Sequence, residues 1–123
     1  MMRRYEPSDY SELEDWIKKR GMILASKMDL PEIGIIEPGI GCGFLVQTDI
    51  KTAILDFFFS NPEASRKRRH DALFEIGQGL IQEARWLDYK RVSCSSRFVI
   101  TQDLARSLGF RELGEFMDFI REV

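Results

Sequence analysis

The densest group of chemically capable side chains in this sequence is the run Arg66-Lys67-Arg68-Arg69-His70-Asp71. Guanidinium groups bind phosphate-type oxyanions through paired, directed hydrogen bonds. A helix start adds unpaired amide donors and a dipole that favours anions. The same dipole disfavours cations in the first turn by up to about 1 kcal/mol each. The run therefore has two readings: an anion site built from side chains, or a solvated charged loop ahead of a helix.

Asp56 is the second candidate, a carboxylate inside the apolar stretch Thr52 to Ser60. Buried there, it would be a proton acceptor, because apolar surroundings raise a carboxylate's pKa. Facing solvent, it would be an ordinary surface acid. Phe57, Phe58 and Phe59 follow it and either line a slot or fill the core, the core reading being favoured for at least two of them. Ser93, Ser95 and Ser96 are hydroxyls available as proton donors at the end of another short apolar run. Gly77-Gln78-Gly79 could form a tight cradle, but it would leave only Leu80 to Leu87 for a following helix. Two mid-helix glycines beside a neighbouring backbone fit better. Cys42 and Cys94 stand singly and read as small buried hydrophobes. With His70 as the only histidine, there is no Ser-His-Asp set, no metal-ligand spacing and no Walker loop.

The elements that must position these groups follow from periodicity. Arg3 to Glu6 reads as a short strand, and Pro7-Ser8-Asp9 as a helix start with Ser8 as cap. Tyr10, Leu13, Trp16 and Ile17 recur at helical spacing, and Lys18-Lys19-Arg20-Gly21 supplies a cationic last turn and a stop. Met22 to Pro31 could hold a short second helix. Three strands follow, Ile33 to Glu37, Cys42 to Thr48 and Thr52 to Ser60, joined by turns short enough for antiparallel neighbours. Ser65 to about Leu87 reads as a long helix, Arg91 to Ser95 as a strand, Thr101 to Leu108 as a short helix and Phe110 to Arg121 as mostly extended. Strand, long helix, strand is a crossover unit whose strands should be parallel. The expectation is a mixed α/β sheet with helices on both faces.

With 123 residues, 44% of them hydrophobic and 31% charged, the chain is expected to be one domain over residues 1–123, with a core that needs no metal or disulfide. A net charge of −2 gives no general field to draw nucleic acid or membrane, so any anion site is local. No apolar run follows Met1-Met2-Arg3-Arg4-Tyr5, and no stretch approaches a membrane span. A reducing, cytoplasmic setting is expected.

Several segments resemble the GNAT (GCN5-related N-acetyltransferase) superfamily in order and spacing. Arg3 to Tyr10 looks like its first strand and helix start, and Asn61-Pro62-Glu63 like its strand-four exit. Glu83 to Val92 is similar to its helix-to-strand junction, and Leu104-Ala105-Arg106-Ser107-Leu108-Gly109-Phe110 to its late L-Y-x-x-L-G-F element. Short GNAT-like proteins of this shape occur among bacteriophage genes, and this sequence resembles that group. A phage origin would put it in the host cytoplasm or the virion.

The resemblance implies acetyl transfer from acetyl-CoA to an amine acceptor. The pyrophosphate would lie at the start of the long helix, implicating Arg66, Arg68, Arg69, His70, Asp71 and Ala72. The thioester and pantetheine would lie where strands four and five part, implicating Leu55, Phe57, Phe59 and Ser93 to Ser95. Asp56 is the implied base, with Ser95 the substitute proton donor. The chain departs from the pattern twice: Asp71 and Leu73 replace cradle glycines, and Ala105 stands where the family places a Tyr acid. The alternative expectation is a GNAT scaffold without turnover that binds a protein partner, as a homo-oligomer or within a virion.

Overall fold

The computed structural model describes residues 1–22, 29–94 and 99–114. A five-stranded sheet runs in chain order: β1 (Arg3–Arg4), β2 (Ile33–Glu37), β3 (Gly41–Val46), β4 (Thr52–Ser60) and β5 (Arg91–Ser93). The first three pairings are antiparallel and β4–β5 is parallel, as the crossover requires. α1 (Tyr10–Lys19) covers one face, α2 (Arg66–Trp86) the other, and α3 (Val99–Ser107) packs against α2.

The helix start near Pro7 differs from expectation. Pro7–Asp9 is a single 3-10 turn ahead of α1, and Ser8 is not its cap. Asp9 is buried instead, at 7% exposure. Its carboxylate accepts from both Nη atoms of Arg3 (2.7 and 2.8 Å) and from the Glu6 amide (2.8 Å). The Arg3 guanidinium holds its pKa below the usual carboxylate range, against the opposing effect of burial.

Each helix stripe matches one sheet face. On the α2 side, Ala72, Ile76, Leu80 and Ala84 recur every fourth residue and are all buried. The last three close over Ile33, Leu45, Ala53 and Leu55. On the α1 side, Leu13, Trp16 and Ile17 meet Ile36, Cys42 and Phe44. Burial pushes the Cys42 thiol up to about 12, so it stays a neutral core group. α2 is capped by Ser65, whose Oγ accepts from the Arg68 amide (3.2 Å), and is followed by Asp88, whose left-handed φ of +66° takes the place of a glycine stop. Gly77 and Gly79 lie inside α2, but side chains approach them rather than backbone. A Cβ at Gly77 would stand 2.5 Å from Leu108, and one at Gly79 would stand 2.7 Å from Ile35.

Most of the expected second helix between Met22 and Pro31 lies outside the described residues, as do residues 115–121 of the expected last strand. Residues 110–114 form no strand. Among the described residues, no helix is long and apolar enough to cross a membrane.

Candidate functional site

The site lies along β4, beyond the point where its pairing with β5 ends. β4 has nine residues, yet β5 pairs with only Thr52, Ala53 and Ile54. From Leu55 to Ser60, the β4 edge turned toward β5 has no strand partner among the described residues. An unpaired edge of this kind offers backbone donors and acceptors to an extended ligand. On its other side β4 pairs with β3 in an interrupted register: Phe44 lies opposite Asp56 and Cys42 opposite Phe59. Gly43 thus faces two β4 residues, Phe57 and Phe58, which defines a β-bulge.

The bulge residue Phe57 has φ +56°, a left-handed conformation that aromatic side chains seldom adopt. Its ring meets Phe44 edge-on at 6.4 Å and Phe59 at 6.5 Å. Its amide donates to Asp56 Oδ1 at 2.7 Å. Phe58 turns to the opposite face and lies across Gly43, where an added Cβ would come within 2.6 Å of its ring. Glycine at 43 is therefore what lets the ring, and with it the bulge, settle there.

The open edge leads to the first turn of α2. Arg66, Lys67, Arg68 and Arg69 lie within the helix and not ahead of it. Lys67 pairs with Asp71 at 2.9 Å, and His70 stands 3.8 Å from the same carboxylate. Arg66, Arg68 and Arg69 have no carboxylate partner among the described residues. A fourth guanidinium joins them from α1: Arg20 donates to the Ser60 carbonyl (3.2 Å) and hydroxyl (2.9 Å). Partial burial, then the nearby charge of Arg69, draws its pKa down. Lys19 reaches Glu63 at 2.6 Å, so α1 holds the β4–α2 turn by two contacts. Several guanidiniums without a carboxylate partner among the described residues form a local cationic corner on an otherwise acidic protein.

On the α1 face, a cleft of about 430 Å³ opens beside the bulge. Leu30, Val46 and Phe57 supply apolar walls, with Asp29, Glu32 and Gln47 at its polar rim. Among the described residues no three or more His, Cys, Asp or Glu side chains cluster as a metal site.

The fold recurs in solved acetyltransferase structures. An acetyltransferase from Trypanosoma brucei superposes with a TM-score of 0.73 at 15% identity, covering 98% of this chain and 99% of its own. A Mycobacterium tuberculosis protein solved in complex with CoA gives 0.73 at 20% identity over 93% of this chain and 73% of its own. A GNAT-family acetyltransferase from Staphylococcus aureus gives 0.70 at 15% identity, over 93% and 85% of the two chains. This chain has the GNAT fold. No family model and no curated protein matches the sequence, so the likeness is one of architecture.

Placed on the GNAT fold, the expected site residues divide. Phe57 lines both the open edge and the cleft. Arg66, Arg68 and Arg69 share the first turn of α2 at the end of that edge. Asp56 is exposed, against the buried reading of its apolar strand. Its register opposite Phe44 nevertheless sets it on the α1 face, with the cleft. The Leu55 side chain is buried in the α2-side core, so only its backbone can serve the edge. Phe59 packs in the α1-side core. Ala72 is 2% exposed and faces the sheet, which removes it from the phosphate corner. Asp71 is engaged by Lys67, and His70 is exposed beside it. Ser93 is the last β5 residue paired with β4, while Ser95 lies outside the described residues. Cys94, next to the gap, has its thiol pKa raised by burial and secondarily by the Asp56 charge, which makes it a poor nucleophile.

Three features escaped the sequence reading. Arg20 reads there only as part of a cationic last turn. Asp29 and Glu32 carry no periodic signal. The bulge is marked only by three consecutive phenylalanines, whose alternation cannot be resolved from type alone.

Proposed function

We propose that this protein transfers an acetyl group from acetyl-CoA to an amine. The observation that carries the reading is that β4 runs on beyond its pairing with β5 and through a bulge, with the unpaired edge leading to a corner of guanidiniums that have no carboxylate partner among the described residues. Side chains present fit the ligand's anionic part: Arg66, Arg68, Arg69 and Arg20 can take the pyrophosphate in place of glycine-exposed amides. The backbone from Leu55 to Ser60 can pair with an amide-bearing chain such as pantetheine.

When bound, acetyl-CoA supplies a thioester whose acetyl carbon is the electrophile. The Phe57 and Phe59 rings, 6.5 Å apart on the α1 side, can shield the unpaired stretch of β4 from water, and the bulge bends that stretch. Asp56 Oδ1 is occupied by the Phe57 amide, leaving Oδ2 to receive the proton that the amine loses. The new N–C bond forms as the C–S bond breaks. The proton that completes the thiol comes from solvent, since Ala105 has none to give.

Ala105 and the missing cradle glycines also favour a second reading, a GNAT-fold protein that binds a protein partner, in a virion or on a host target, without turnover. Thermal unfolding with and without acetyl-CoA, followed by release of free CoA thiol in the presence of amines, separates the two. A saturating rise in midpoint with amine-dependent thiol release supports transfer. No shift at millimolar acetyl-CoA sinks it.

A further inference from the structure

We infer that the cleft under Asp29 to Glu32 binds a small aliphatic amine carrying a second cationic group, of the diamine or polyamine class. The inference rests on the proposed transfer reaction and names its acceptor. A volume of about 430 Å³ lies within the range of small-molecule sites, roughly 300–1,000 Å³, and is too small for a folded partner's surface.

Charge decides the occupant. Asp29 and Glu32 are exposed at the rim, and among the described residues neither has an ion-pair partner. No Lys or Arg is among the described residues that line the cleft. Among those residues an anionic acceptor would therefore meet two like charges and nothing to offset them, whereas a cation finds a carboxylate at either position. The walls between rim and bulge are methylene-friendly: Leu30, Val46 and the Phe57 ring.

The two ends of the cleft suit the two ends of a diamine. At the rim, an ammonium beside a carboxylate keeps its proton, because an opposite charge favours the charged form. Beside Phe57 the apolar ring disfavours a charged amine, and the Asp56 carboxylate bonded to the Phe57 amide can take the proton that leaves the amine neutral. Only the neutral end carries the lone pair that attacks a thioester, and Phe57 is the residue shared by the cleft and the open edge of β4. A single-ended alkylamine would lose the rim contact, and an amine with a terminal carboxylate would gain a repulsion.

The test uses the full chain, isotope-labelled and titrated by NMR with 1,5-diaminopentane, pentylamine and 5-aminopentanoate, while acetyl-CoA binding is followed separately by thermal shift. We expect saturable shifts at the Val46 and Phe57 amides, with the diamine binding tightest and the aminopentanoate weakest. Asp29→Asn and Glu32→Gln should each weaken the diamine by about fivefold, the scale of one exposed ion pair, and leave the acetyl-CoA thermal shift unchanged. The assignment is overturned if the three probes bind alike, if neither substitution matters, or if a lysine-bearing peptide binds more tightly than the diamine. If the diamine binds and acetyl-CoA does not, the transfer reading falls while the cleft assignment stands. If acetyl-CoA binds and the diamine leaves Val46 and Phe57 unmoved, the cleft assignment falls alone.

Discussion

Replacing Arg68 and Arg69 together by alanine should move the thermal midpoint in opposite senses with and without acetyl-CoA. Both residues lie in the first turns of α2, where the positive end of the helix dipole opposes them. Removing two cations at about 0.5 kcal/mol each stabilises the ligand-free protein by about 1 kcal/mol. An unfolding entropy of about 2.1 cal/mol/K per residue gives roughly 0.26 kcal/mol/K for 123 residues. The ligand-free midpoint should therefore rise by about 4 °C. Acetyl-CoA at about 100 times its Kd adds about 2.7 kcal/mol to the unaltered protein, or about 10 °C. Loss of two charge-assisted contacts at about 1 kcal/mol each weakens binding about 30-fold. The same ligand concentration then adds only about 0.9 kcal/mol, or about 3 °C. Differential scanning calorimetry reads both numbers from one pair of proteins. A ligand-free midpoint that falls, together with an undiminished ligand shift, would refute the assignment and make these arginines structural.

Three further substitutions probe the supports of the site. Gly43→Ala should cost about 2 kcal/mol by overpacking, because its Cβ would meet the Phe58 ring at 2.6 Å and Ile76 at 3.1 Å. Denaturant midpoints would show the loss, and an unchanged midpoint would mean that the ring yields freely. Asp9→Asn should lower the midpoint by about 6 °C near neutral pH. The folded pKa of Asp9 is lowered, so its contribution is complete above the unfolded carboxylate value and is lost as pH falls through the folded one. The difference between the two proteins should thus shrink below about pH 4, and a pH-independent difference would contradict the ion-pair account. Asp56→Asn should reduce kcat/KM for amine acetylation by about 100-fold while sparing the acetyl-CoA thermal shift. Equal loss of both would instead assign Asp56 to binding.

Much of the scaffold was legible because its signals are local. Ile33–Glu37 and Thr52–Ser60 stand between turn residues and emerge with those bounds. The long helix shows Ile76, Leu80 and Ala84 of its stripe in sequence spacing alone, and all three are buried, whereas Ala72 joins them only in the structure. The Pro7–Asp9 start misled because Ser8 has the composition of a capping residue, whereas Asp9 closes the turn on the Glu6 amide and pairs with Arg3 on the preceding strand. The candidate site was half legible for the same reason. The basic run is contiguous, so Arg66 to Arg69 could be found. Arg20, Asp29 and Glu32 come from distant parts of the chain and acquire meaning only through tertiary placement. Asp56 shows the limit of strand periodicity: an apolar neighbourhood in sequence suggests burial, but register puts the carboxylate at the exposed margin of the α1 face.

The bulge at Phe57 shifts the phase of everything beyond it. Leu55 belongs to one face and Phe59 to the other, although both numbers are odd. Deleting Phe57 alone would leave Asp56 opposite Phe44, Phe58 opposite Gly43 and Phe59 opposite Cys42, an unbroken two-residue rhythm along β3. That shorter chain should fold at least as well, having shed a left-handed aromatic residue worth about 1–3 kcal/mol of strain. It would also lose the local bend that a bulge puts into its strand. One residue of excess length is thus the whole difference between a strand that keeps step with β3 and a strand that changes step halfway.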